Sequence, residues 1–217
     1  MVPAPLRLRL DGDVLVANWQ LLDRMSGAAA CGAAVKADGY GLGAAAVVER
    51  LAAEGCRDFF VATWNEAAAL AGSGAQVSVL HGVREEDLAV ALQGFARPVL
   101  NTLEQVARWR NAGGGLCDVM VDTGMNRLGI SVEDVAAGAI DGLTIETLMS
   151  HLASADEDSA LNARQRDAFA ALAGRTGAKR LSLANSAGIA LGADYAFDLT
   201  RPGLALYGGV PRDELSA

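Results

Sequence analysis

Lys36 stands in Ala33-Ala34-Val35-Lys36-Ala37-Asp38-Gly39-Tyr40-Gly41-Leu42-Gly43, at the end of an apolar run and just ahead of a glycine-rich turn. An amine held against apolar neighbours is desolvated, which favours the neutral nucleophile that condenses with a carbonyl. The glycines let the backbone turn tightly beside a ligand, and the Tyr40 hydroxyl is a donor close to that turn. A second polar group is Asn185-Ser186-Ala187-Gly188, between an apolar run and a helical segment. Free N–H groups and the helix dipole favour an anion there, and Ser186 adds a hydroxyl donor. Arg201-Pro202-Gly203-Leu204 supplies further backbone donors after the last apolar run.

An amine nucleophile facing an anion cradle suits a phosphorylated aldehyde, the chemistry of pyridoxal phosphate. Arg127 and His151 follow two further apolar runs. Taken singly, each residue has an ordinary reading. Lys36 reads as a strand-end lysine reaching solvent, His151 as a hydrogen-bonded core residue, Arg127 and Arg201 as ion-pair partners on loops, and Asn185-Ser186 as a plain N-cap. What favours a common site is that all five positions fall at the ends of apolar runs. His81 reads as a solvated loop histidine, and Asp156-Glu157-Asp158 as a solvated acidic turn rather than a metal site.

The elements that must position these groups are legible as alternation. Apolar runs span Gly32 to Lys36, Phe59 to Ala62, Val77 to Leu80, Pro98 to Leu100, Asp118 to Val121, Leu143 to Ser150, Arg180 to Leu183 and Phe197 to Leu199, with alanine-rich segments of helical period between them. Thr63-Trp64-Asn65-Glu66 and Thr102-Leu103-Glu104-Gln105 have capping-box spacing, and Ser131-Val132-Glu133-Asp134 is a looser version. A helix from about Leu161 to Ala173 is expected to stop near Gly174 and Gly177. Repeated βα units predict an α/β fold, a (β/α)8 TIM barrel whose last helix is short or missing, because the chain stops soon after its eighth strand. An open doubly wound sheet is the alternative, weakened by the lack of a G-x-G-x-x-G opening a first helix. In a barrel the strand ends converge on one mouth, so Lys36, Arg127, His151, Asn185, Ser186 and Arg201 would share it.

With 217 residues and 52% hydrophobic content the chain can bury one large core, so a single domain over 1–217 is expected. A net charge of -8 argues against a nucleic-acid partner, which needs clustered cations. The segment Met1 to Arg7 lacks the apolar core of a signal peptide, and no run reaches membrane-spanning length, so a cytoplasmic protein without a membrane partner is expected. Cys31, Cys56 and Cys117 have unrelated spacings and read as packed, reduced thiols.

Five segments, in order, resemble the bacterial alanine racemases. They are Ala34-Val35-Lys36-Ala37-Asp38-Gly39-Tyr40-Gly41-Leu42-Gly43, Val121-Asp122-Thr123-Gly124-Met125-Asn126-Arg127-Leu128-Gly129, Ser150-His151-Leu152-Ala153-Ser154-Ala155-Asp156, Ala184-Asn185-Ser186-Ala187-Gly188, and Arg201-Pro202-Gly203-Leu204-Ala205-Leu206-Tyr207-Gly208. The resemblance implies pyridoxal 5'-phosphate as cofactor, L- and D-alanine as the small-molecule substrate, a homodimer for the full-length protein, and a role in supplying D-alanine. By it, Lys36 forms the internal aldimine and acts as base on the face that yields or consumes the D-amino acid. Tyr40, Ser186, Gly203 and Leu204 hold the phosphate, the last two through backbone N–H groups. Arg127 lies near the phenolic oxygen, with His151 and Asn185 in the supporting polar shell. Arg201 meets the pyridine nitrogen; a guanidinium cannot accept a proton there, so the electron sink is weak and racemisation is favoured over transamination.

Two departures stand out. The family often has a lysine, carrying a carbamate, two residues before the aspartate of Asp-Thr-Gly-Met; here that place is Met120, so Arg127 is expected to be oriented differently. Family subunits also continue into a β-rich domain whose tyrosine serves the partner's site as second acid/base. None of Tyr40, Tyr195 or Tyr207 sits in that motif, so the chain alone is expected to be poorly active. The rival reading is a single-barrel pyridoxal-phosphate homeostasis protein without racemase activity. Its length fits, but its motifs differ from those above. A third is a barrel that retains the motifs without catalysis.

Overall fold

The computed structural model describes residues 10–216, so the Met1 to Arg7 reading lies outside the described residues. Eight strands follow one another: β1, in two pieces Ala30–Cys31 and Ala33–Ala34; β2, Asp58–Val61; β3, Gln76–Val79; β4, Arg97–Leu100; β5, Cys117–Asp122; β6, Ile145–Met149; β7, Arg180–Ser182; and β8, Leu199–Thr200. Neighbours from β1 to β7 pair in parallel in sequence order. β8 completes the circle. Asp198 N–H donates to Leu181 O on one side, and on the other Ala30 N–H and Gly32 N–H donate to Asp198 O and Thr200 O, with Ala30 and Cys31 in register with Leu199 and Thr200. The eight strands form a closed (β/α)8 barrel, with a two-residue strand, Ile130–Ser131, pairing outside the ring on the end of β5.

All eight predicted strands lie within a few residues of those observed. All three N-caps form where the spacing put them, but the full reciprocal capping box closes only at Thr63. Thr63 Oγ1 accepts from Glu66 N–H at the start of α3 (Trp64–Ala69), Thr102 Oγ1 from Gln105 N–H at the start of α5 (Leu103–Asn111), and Ser131 from Asp134 N–H at the start of α6 (Val132–Ala136). The helix expected to run to Ala173 is α7, Ala160–Ala170, and ends three residues sooner. Among the described residues after β8 there is no α-helix, but a 3-10 turn at Asp213–Leu215 and, nearer the strand, another at Leu204–Tyr207. A helix ahead of the first strand occupies that side: α1 (Gly12–Ser26) packs on β1 and on this turn, and Asn18 Nδ2 donates to Leu206 O at 3.1 Å. Its buried residues Leu15, Trp19 and Leu22 recur at helical spacing.

Period-2 alternation stacks the barrel interior in layers. The middle layer is apolar, with Ala34, Phe60, Val99, Met120, Met149 and Leu199 packed together. Below it, at the amino ends of the strands, the residues are charged. Asp58 takes a bidentate contact from Arg180 at 2.7 and 2.9 Å, Arg97 approaches both Asp58 and Asp118, and Asp118 accepts from Ser78 Oγ and Thr147 N–H at 2.6 and 3.0 Å. Burial pushes the Asp118 carboxyl up, and Arg97 with these hydrogen bonds opposes it. Cys31, Cys56 and Cys117 are buried and free, as the spacing implied. Among the described residues no helix is long and apolar enough to cross a membrane.

Because the floor carboxylates Asp58 and Asp118 are buried, removing one partner leaves the others short of contacts. Asp58→Ala is expected to cost about 3 kcal/mol, the low end for a broken buried pair since Arg180 keeps some solvent. Urea unfolding should report a lower midpoint at unchanged slope. A loss below about 1 kcal/mol would mean that the floor ions are not structurally coupled.

Candidate active site

The carboxyl ends of the strands open on a cleft of about 390 Å³ whose lining includes Lys36, Tyr40, Arg127, His151, Asn185, Ser186, Arg201, Gly203 and Leu204. Every residue expected to share the barrel mouth on sequence grounds is therefore brought to one cavity. The apolar middle layer forms its base through Phe60, Met120 and Leu80.

Lys36 follows β1 directly and is half-buried, with Ala34 and Val35 buried before it. The backbone then makes a single left-handed turn, Ala37, Asp38, Gly39 and Tyr40 having φ of 52, 52, 65 and 56°. For the three non-glycine residues this conformation costs about 1–2 kcal/mol each. Asp38 Oδ1 accepts from Ala44 N–H at 2.7 Å, and Glu66 Oε1 accepts from Ala37 N–H at 2.7 Å, so the turn is held at both ends. Tyr40 stacks on Tyr207, 4.6 Å between ring centroids, and Tyr207 donates to Ala34 O, which aims the Tyr40 ring across the mouth. Desolvation raises the Tyr40 hydroxyl pKa, so it is a donor at neutral pH.

Beside it lies a cradle built from two loops. Ser186 Oγ accepts from Gly203 N–H at 3.0 Å and from Ala205 N–H at 3.1 Å, which leaves its own proton to donate outward. A Cβ at Gly203 would run into the Tyr40 hydroxyl, so glycine is what lets Tyr40 lie close over this loop. Asn185 is the N-cap of α8 (Ser186–Ala190), accepting from Gly188 N–H at 2.8 Å, so the plain-cap reading holds, and it also lines the cleft.

Arg201 is almost wholly buried, and its guanidinium donates only to neutral oxygens, Ser182 Oγ and Ser150 O. Burial lowers its pKa to about 10, so it stays a cation at neutral pH. Among the described residues no carboxylate forms an ion pair with Lys36, Arg127 or Arg201. His151 stands among these three cations: burial first, then Arg201, Arg127 and Lys36, lower its pKa to about 3. It is therefore a neutral imidazole. Arg127 is exposed on the rim, carried by a loop that Asp122 Oδ1 gathers through the N–H groups of Gly124, Met125 and Asn126. Met120, at the place where the resembled family often has a lysine, is buried in the base of the cleft.

Three contributors escaped the sequence reading. Gln165 of α7 is fully buried and accepts from Ala153 N–H while donating to His151 O and Thr123 Oγ1; Thr123 in turn bonds Ser150, whose carbonyl receives Arg201. Nothing marks a glutamine in mid-helix as such a tie. Glu66 was legible only as a capping-box residue, and its contact with Ala37 is tertiary. His81 is not simply solvated: it lies 3.0 Å from Asp87, a carboxylate that Arg84 and His81 together hold at a pKa of about 2. Of the acidic turn, Asp158 pairs with Arg212 at 2.7 Å and Asp156 lines the cleft.

Residues 10–211 match the family described as alanine racemase, N-terminal domain. The chain is 46% identical to the alanine racemase of Cereibacter sphaeroides over 97% of its own length and 62% of that enzyme's, and 44% identical to that of Acidiphilium cryptum over 94% and 60%. It thus spans about three-fifths of the curated relatives it matches. Among solved structures, the alanine racemase of Bartonella henselae, which holds covalently bound pyridoxal phosphate, superposes with a TM-score of 0.84 at 32% identity, covering 93% of this chain and 60% of that one. The biosynthetic enzyme of Pseudomonas aeruginosa gives 0.83 at 31%, covering 94% and 60%. With a barrel of this topology, this cleft and a match over nearly its whole length, the chain belongs to the alanine racemase N-terminal domain family.

Proposed function

We propose that residues 1–217 are the pyridoxal-phosphate-binding barrel domain of an alanine racemase that interconverts L- and D-alanine. The observation that carries this reading is the buried Arg201 cation without a carboxylate partner, facing a cleft that also holds Lys36 and an anion cradle. The residues fit the cofactor. The Ser186 and Tyr40 hydroxyls gather beside the Gly203 loop as donors suited to a phosphate, and Lys36 lines the same cleft. Leu204 and Asn185 line it as well.

When bound, pyridoxal phosphate supplies an aldehyde carbon for imine exchange and a conjugated ring that spreads negative charge from the substrate's Cα. Lys36 would carry it and, once released, take or return the α-proton on one face. Arg201 would stand at the ring nitrogen. As a cation at neutral pH it has no free lone pair and keeps its own protons, so it donates a hydrogen bond without protonating the ring. His151 stays neutral and limits the positive charge at the mouth, and Arg127 adds a cation on the rim. The apolar base of Phe60, Leu80 and Met120 would keep water from the floor of the cleft when the cofactor is held there.

Racemisation needs a proton-transfer group on each face of Cα. We assign one face to Lys36 and propose that the other is served by a group outside these residues, brought by pairing of full-length subunits in the cytoplasm. Exposed Leu128 and Leu204 on the cleft rim support a covering surface there.

The direct test is to add pyridoxal phosphate, reduce with borohydride and locate the label by mass. Attachment at Lys36, and none in Lys36→Ala, is expected; labelling elsewhere or not at all would sink the reading. For the labelled site to be half of a two-base catalyst, the chain in D2O should exchange the Cα proton of D-alanine faster than it converts D- to L-alanine. Conversion keeping pace with exchange would mean that both bases lie within this chain.

His151 gives a pH prediction. Its folded pKa of about 3 lies below the unfolded value of about 6.5, so the unfolded chain binds the extra proton between them. Stability contributed this way is present above about pH 6.5 and is lost as pH falls toward 3, by up to about 1.4 kcal/mol per pH unit. Urea titrations of His151→Asn should lose stability less steeply than wild type between pH 6.5 and 5. Parallel curves would mean that the imidazole is not held neutral.

A further inference from the structure

Three of the five non-glycine residues with positive φ among the described residues, Ala37, Asp38 and Tyr40, lie directly after Lys36. A turn that departs so far from preferred backbone needs an outside clamp, and conformations of this kind collect where function demands them. Ala37 N–H, the first donor after the lysine, is held by Glu66 Oε1 at 2.7 Å across the gap between the first and second βα units. The other oxygen, Oε2, accepts from Ala62 N–H at 2.6 Å and Thr63 N–H at 3.1 Å, which is the capping box of α3.

Capping alone would be served as well by glutamine, since one acceptor oxygen suffices. A comparison within this chain explains the carboxylate. At the matching place in α5, Gln105 Oε1 accepts from Asn101 N–H and its Nε2 donates to His81 O in the neighbouring loop. There the neighbour presents a carbonyl, and an amide answers it. Beside α3 the neighbour presents the N–H of Ala37, and only a carboxylate offers an acceptor on both sides.

We propose that Glu66 is a positioning residue for Lys36: its second oxygen locks Ala37 in the left-handed conformation and so holds the lysine amine toward the cleft. This rests on the reading of Lys36 as the cofactor-bearing residue.

The test uses the full chain with pyridoxal phosphate as probe. Glu66→Gln keeps one acceptor and turns the other into a donor that opposes a backbone N–H. Three measurements are made on wild type, Glu66→Gln, Ala37→Gly and the double variant. They are the melting temperature, hydrogen exchange of the peptide covering 36–43, and the rate at which amine and aldehyde condense, with loss of water, into a borohydride-fixable bond at Lys36. Glu66→Gln should speed exchange in that peptide tenfold or more and slow attachment about tenfold, with the chain still folded. Adding Ala37→Gly, which takes the left-handed conformation without a Cβ clash, should bring attachment back to within about threefold of wild type. Attachment unchanged in Glu66→Gln, or slowed but not rescued by glycine, overturns the proposal. If wild type itself takes no label at Lys36, the reading of the lysine fails first, and the exchange data then report the clamp alone.

Discussion

Closure of the barrel rests on a short parallel seam. Ala30, Gly32 and Ala34 donate their N–H groups to Asp198 O, Thr200 O and Pro202 O. The seam joins the first strand to the eighth across about 170 residues of chain, a separation whose closure entropy is about 4–5 kcal/mol. Its third bond, from Ala34 to Pro202, lies at the mouth itself. Without it Lys36 and Tyr40 would have no fixed relation to Arg201 and Gly203, because the two segments share no sequence neighbourhood. Gly32 within the seam is needed for close packing, since a Cβ there would lie 2.8 Å from Asp58 O and 2.9 Å from the Phe60 ring.

Around that closed ring the two ends of the barrel treat charge in opposite ways. At the floor, Arg97 and Arg180, with Lys179 at the surface, are matched by Asp58, Asp118 and Glu146, so a costly set of buried and half-buried ions is neutralised internally. At the mouth, Lys36, Arg127 and Arg201 share a cleft in which Asp156 is the only carboxylate among the described lining residues. Burial first, and then the positive charge of these three, keeps His151 neutral. An unbalanced positive cavity above a balanced ionic floor is an arrangement that favours an anionic ligand, and the Ser186 hydroxyl, its oxygen already accepting from Gly203 and Ala205, keeps its proton as a neutral donor for it.

The loops that carry these groups are tied by side chains of the flanking helices. Glu66, Gln105 and Gln165 each bond the backbone of the strand end beside their own helix and then a group on a neighbouring loop or side chain. Each tie satisfies backbone groups that would otherwise be left short at the half-buried rim. Through Gln165, Thr123 and Ser150 the chain of contacts reaches Arg201 itself.

Much of this was legible in one dimension. Apolar runs and capping boxes carry periodicity and local hydrogen-bond chemistry, which act over a few residues, so the eight strands and the starts of α3, α5 and α6 could be read directly. The placement of Lys36, Arg127, His151, Asn185, Ser186 and Arg201 at strand ends followed from the same pattern. Where α1 packs, how the barrel closes, and that Glu66 serves Ala37 as well as its own helix are matters of contacts between segments tens of residues apart. Charge balance belongs with them: whether an arginine meets a carboxylate depends on which strands become neighbours, and only the folded barrel pairs Arg180 with Asp58 while leaving Arg201 with neutral partners.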